Sequence, residues 1–132
     1  MFDQIVAKTC GSRGAAAVHA WARVESASCS RRIAAMLTML EDTYAADDSL
    51  DRDLWYLDNW SAVTAHIGAV QRLTSGAASN LLLIGVALRD RFPKVAAVFA
   101  AGLIDLRTVR MIVTRAALVQ DRDAVHALDA AL

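Results

Sequence analysis

Apolar positions along this chain recur at helical spacing from end to end. Ile33, Met36, Leu37, Leu40 and Tyr44 fall on one face, with Arg31, Thr38 and Asp42 opposite. This pattern predicts a first helix over residues 15–44, with a break near Ser26 to Ser30 as the one interruption it admits. A second helix is predicted over 60–73, and a third over 76–91, opened by Thr74 or Ser75 as cap. The third carries Ala77, Ala78, Leu81, Leu82, Leu83, Ile84, Val86 and Leu88, and is apolar on nearly every side. Such a helix is buried, at the centre of a fold or at a subunit interface.

The chain's only proline, Pro93, suits the first turn of a short helix, because its missing N–H would lack an intrahelical partner there. Gly102 closes that helix as a residue free to take positive φ. Asp105 then caps a helix over 106–119, and a last helix starts at Asp121. Its pattern is still helical at Leu132, so the domain is expected to be cut inside that helix. Residues 1–14, with Gly11 and Gly14, are expected to be a flexible N-terminus. Residues 45–59 read as an acidic connection anchored by Trp55, Tyr56 and Trp60. The expected fold class is all-α. It is a compact bundle of about six helices in a single domain over 15–132, with a buried central helix and a helix-turn-helix-like pair.

Composition agrees with the pattern: 56% of the 132 residues are hydrophobic, and one is proline. The formal net charge is zero, so no global basic field draws the chain to nucleic acid. The charge is unevenly placed, however. Glu41, Asp42, Asp47, Asp48, Asp51, Asp53 and Asp58 crowd one segment, and Arg72, Arg89, Arg91, Lys94, Arg107, Arg110 and Arg115 follow it. The two cysteines, Cys10 and Cys29, share no metal or redox spacing and no signal segment precedes them, so they read as free thiols in a cytoplasmic protein. The longest uncharged run, 73–88, is too short and too polar to cross a bilayer.

Candidate chemistry is sparse. His19, His66 and His126 have no second ligand at helical spacing, and His66 reads as a core or boundary residue. The acidic segment lacks the alternation and central glycine of a calcium loop. No glycine-rich phosphate loop or nucleophile elbow is present, so no catalytic residue, metal or cofactor is expected. What remains is nucleic-acid contact. The pair over 60–91 has helix-turn-helix length, offering Arg72, Ser75, Ser79 and Asn80. On the helix after Asp105, Val109, Ile112, Val113 and Ala116 make one face, while Arg107, Arg110 and Arg115 fan across the other. Those arginines can hold phosphates, or pair internally with the acidic segment.

The stretch LRDRFPKVAAVFAAGLIDLRTVRMIVTRAALVQDRDAVHALDAAL resembles domain-of-unknown-function family 222, the 13E12 repeat family. Leu88, Arg89, Arg91, Pro93, Gly102, Ile104, Arg107 and Asp121 carry the likeness, with Phe92 in the usual leucine place. Upstream, Trp60, Ala65, Leu73, Ser75 and Ala78 also match. The resemblance implies a DNA-associated module lying ahead of an HNH endonuclease, often in mobile elements. This chain has no HNH histidine motif, so any nuclease would lie beyond Leu132 and the module itself would be non-catalytic. The rival expectation is a structural module that forms a homodimer through its apolar helices.

Overall fold

The computed structural model describes residues 1–46 and 52–132, with side chains from residue 59 onward in the second stretch. Seven helices make up the described chain, and none of its residues is in a strand. They are α1 (Phe2–Cys10), α2 (Gly14–Ala46), α3 (Arg52–Gln71), α4 (Ser75–Asp90), α5 (Pro93–Ala100), α6 (Leu106–Arg115) and α7 (Arg122–Ala131). The protein is all-α. By contact the chain divides into two units, one of Met1–Arg32 with Ala87–Leu132, the other of Ile33–Val86.

The Ile33–Val86 unit is built on the face read from the sequence. Ile33, Met36, Leu37 and Leu40 of α2 are buried, as are Val63 and Ile67 of α3 and Ala78, Leu81, Leu82 and Ile84 of α4. The break that the pattern admits near Ser26 to Ser30 does not occur: α2 is continuous, and Val24 and Ala27 carry the buried stripe through the serines. Helix α3 begins at Arg52, inside the stretch read as a connection. Leu54, Leu57 and Trp60 already have helical spacing in the sequence there. The acids Asp47, Asp48, Asp51, Asp53 and Asp58, and the anchors Trp55 and Tyr56, lie outside the described side chains.

The turn from α3 to α4 is tight. The Leu73 N–H donates to the Gly68 carbonyl at 2.9 Å, which folds the chain back over the end of α3. A Cβ on Gly68 would stand 2.7 Å from the Leu73 carbonyl oxygen, so the fold-back demands glycine there. Arg72 takes the left-handed conformation, φ 56°, at the position glycine usually fills. Thr74 then caps α4, its hydroxyl accepting from the Ala77 N–H at 3.1 Å.

The other unit starts with a helix where a flexible N-terminus was expected. Phe2, Ile5, Val6 and Thr9 are spaced for one face, and Thr9 is buried with its hydroxyl donating to the Ile5 carbonyl at 2.6 Å. The Arg31 guanidinium lies 4.4 Å from the Phe2 ring centroid, a cation–π contact that ties α1 to α2. Phe92, Val95, Phe99, Val109, Ala116 and Val125 are buried in this unit.

Pro93 opens α5 and Gly102, φ 75°, follows its end, as the sequence predicts. The Leu103 and Gly102 N–H groups donate to the Val98 and Phe99 carbonyls at 3.1 and 2.9 Å. This is the paired closure of a left-handed helix end. A Cβ on Gly102 would come within 2.3 Å of the Arg23 carbonyl oxygen, while Arg23 Nε donates to the Ala101 carbonyl at 2.9 Å. The left-handed turn is therefore also the docking point on α2.

Two side chains to which the sequence assigned no capping role close helix ends. Asp129 of α7 is 2% exposed and accepts from the Lys94 and Val95 N–H groups at 3.0 and 2.9 Å. It caps α5 from another helix, because Phe92 at the N-cap position has no side-chain acceptor. Arg91 donates to the Ala116 carbonyl at 2.9 Å and also to that of Val119. Past Arg115 the ladder tightens, the Ala117 and Val119 N–H groups donating to the Thr114 and Ala116 carbonyls at 3.3 and 3.1 Å, and α6 ends at Arg115 rather than at 119.

Candidate nucleic-acid interface

Helix α6 is short and sharply two-faced. Asp105 caps it, accepting from the Thr108 N–H at 2.8 Å. Hydrogen bonding from Thr108, through side chain and backbone, holds the Asp105 carboxyl below its ordinary range. Val109 and Ala116 are buried, and Ile112 and Val113 are half-buried, which fixes the rotation of the helix. That rotation leaves Arg107, Arg110 and Arg115 exposed. Among the described residues none of the three has an ion pair or a hydrogen bond.

The other four candidates sit in the Ile33–Val86 unit, and they fare differently. Arg72 and Ser75 are exposed at the α3–α4 turn, and Asn80 is exposed one helical turn further on. Ser79 is half-buried, and its hydroxyl accepts from Trp60 Nε1 at 3.0 Å. That bond makes Ser79 a link between α3 and α4. Helix α4 is buried at Ala78, Leu81, Leu82, Ile84, Ala87 and Leu88, although Leu83 is half-exposed.

A groove of about 550 Å³ runs between α2 and the start of α6. Arg32 and Arg107 line it, with Ser26, Ser28, Glu25 and Asp105. Arg32 escaped the sequence reading, because a lone arginine on a long helix carries no signal until a second element is placed beside it. A larger cleft, about 650 Å³, is lined by Arg91, Arg122, Asp123 and His126 among others. Arg91 is already committed there to the end of α6. His66, expected in the core or at its boundary, is exposed on α3. Cys10 and Cys29 are free. Among the described residues no group of His, Cys, Asp and Glu is placed to hold a metal ion, and no helix is long and apolar enough to cross a membrane.

An all-α protein with an arginine-bearing helix outside a packed core is the class these features define. The chain belongs to the family described as Domain of unknown function (DUF222), whose model matches residues 20–132. It is similar to Uncharacterized protein Rv2100 of Mycobacterium tuberculosis, 37% identical over 117 residues, covering 89% of this chain and 20% of that protein. It is also similar to Uncharacterized protein Rv3776 of the same organism, 34% identical, covering 89% of this chain and 22% of that protein. The Uncharacterized protein in est 3′ region, again from Mycobacterium tuberculosis, is 34% identical, with 89% and 32% covered. The chain thus spans a third or less of the length of each of these relatives. No solved structure matches it.

Proposed function

We propose that this chain is a non-catalytic, DNA-associated module of a larger, HNH-endonuclease-like cytoplasmic protein. It would help that protein recognise or position itself on duplex DNA, in the setting of mobile elements. The observation that carries the reading is the outward face of α6. There, three exposed arginines have no hydrogen bond or ion pair among the described residues, while the opposite face holds the helix in register. Guanidinium groups so presented form charge-assisted bonds to phosphate oxygens and release counterions. The nuclease association rests on the family resemblance alone.

Fluorescence anisotropy of the chain against duplex and single-stranded DNA across a salt series tests the proposal. Duplex affinity that falls steeply with salt supports it. Absence of binding at low salt overturns it.

A second reading, a homo-oligomerisation module without nucleic-acid contact, is favoured by Val18 and Trp21 on α2, which are 74% and 48% exposed. The apolar run of α4 no longer argues for it, since most of that run is buried within the chain itself. A single monomeric species in sedimentation at micromolar concentration would remove this reading.

A further inference from the structure

The seven residues first considered for DNA contact are divided between the two units. Four belong to the Ile33–Val86 unit and three to the unit of Met1–Arg32 with Ala87–Leu132. The sequence's zero net charge conceals a division along the same line. The Met1–Arg32 and Ala87–Leu132 unit has twelve Lys and Arg against seven Asp and Glu, a formal charge of +5. The Ile33–Val86 unit has two, Arg52 and Arg72, against seven, a formal charge of −5.

Resting on the DNA-associated reading, we infer that the phosphate contacts belong to the basic unit alone. They would be made by Arg107, Arg110 and Arg115 of α6 together with Arg32 of α2. The helix-turn-helix-like pair, α3 and α4, takes no part in DNA contact.

Duplex DNA carries about one negative charge per 1.7 Å of its axis, and fields decay over about 8 Å at physiological salt. A surface is therefore selected by its local charge, not by the charge of the whole chain. The α3–α4 pair lacks what a groove-reading pair needs. Its turn offers one cation, Arg72. The Ser79 hydroxyl is half-buried and tied to α3, accepting from Trp60 Nε1, and the Ala77 N–H in the first turn of α4 donates to Thr74. Val70 and Leu83 leave apolar surface exposed on the two helices, 73% and 52% respectively.

The basic unit has the complementary set. Arg107 at the start of α6 and Arg32 on α2 line the same groove, so their cations are held by two elements rather than strung along one. Ser26 and Ser28 add hydroxyl donors there. Two acids share the groove. Asp105 is committed to the α6 N-terminus, whereas Glu25 has no hydrogen bond or ion pair among the described residues. Glu25 is thus the charge that opposes a phosphate at this surface.

The test is duplex-DNA anisotropy on the full chain across a salt series, with thermal melting to confirm that each variant folds. Arg107→Gln, Arg110→Gln and Arg115→Gln together should lower the log–log salt slope by about three and weaken binding on the order of a hundredfold at 0.1 M salt. Arg32→Gln should lower the slope by about one. Glu25→Gln should tighten binding several-fold, a gain that misfolding cannot imitate. The combined variant Arg72→Gln, Ser75→Ala and Asn80→Ala should bind like the parent. If that last variant loses binding while the α6 variant keeps it, the assignment is wrong and the DNA-associated reading survives. If the parent chain does not bind DNA at low salt, both fall.

Discussion

Among the described residues, Arg72 is the only non-glycine with a left-handed backbone. A side chain there costs about 1 kcal/mol relative to glycine, because Cβ crowds the neighbouring carbonyl. Nothing recovers that cost in the Arg72 side chain, which is exposed and has no hydrogen bond or ion pair among the described residues. Arg72→Gly should therefore raise stability by about 0.5–1 kcal/mol, read as a higher urea midpoint with an unchanged slope. A lower midpoint would mean that the arginine side chain is stabilising the turn.

Asp129 is the opposite case, a side chain whose removal leaves two helix N-terminal amides without an acceptor in a buried place. Asp129→Ala should cost about 2–3 kcal/mol, and Asp129→Asn less, since one amide keeps an oxygen partner. Equal melting temperatures for the parent and the alanine variant would show that water replaces the carboxyl.

At the scale of helices, punctuation was legible and tertiary capping was not. Pro93, Gly102, Asp105 and Asp121 each mark the helix boundary the sequence assigns them, because each acts on backbone within three residues of itself. The buried face of α2 was legible for a similar reason, since periodicity is a local signal. Asp129 and Arg91 act across 34 to 35 and 25 to 28 residues, and no spacing rule connects an acid on one helix to the free amides of another. The same limit hid the groove that Arg32 shares with Arg107, and so the α2 side of the candidate site. Helix α1 was missed for another reason. Gly11 and Gly14, just beyond it, are loop signals that mask the helical spacing of Phe2, Ile5, Val6 and Thr9.

The cap on α6 also sets a pH dependence. The Asp105 carboxyl titrates below its ordinary value of 3.8, because its ionised form is the better acceptor for Thr108. A depressed folded-state value means that the unfolded chain binds the proton first. The cap's contribution is then fully present above about pH 4 and is lost as pH falls through the lower, folded value. Urea midpoints for the parent should decline below pH 4, and Asp105→Asn, which caps without titrating, should flatten its share of that decline. An identical acid limb in the two proteins would show that other carboxyls account for it.

For the whole chain, a sequence pI near 6.8 and zero formal charge predict weak retention on any ion exchanger at neutral pH if charge were evenly spread. Segregated charge predicts something else. A resin senses the surface presented to it within about a Debye length, so a +5 unit and a −5 unit can each find the opposite matrix. At low salt and pH 7 the chain should be held by both a cation and an anion exchanger. Replacing Arg107, Arg110 and Arg115 with glutamine should move its elution from the cation exchanger to lower salt. Elution from the anion exchanger should stay the same or come later. Flow-through on both columns would mean that the charges of the two units compensate one another at the surface, and the electrostatic case for a DNA-facing side would lose its basis.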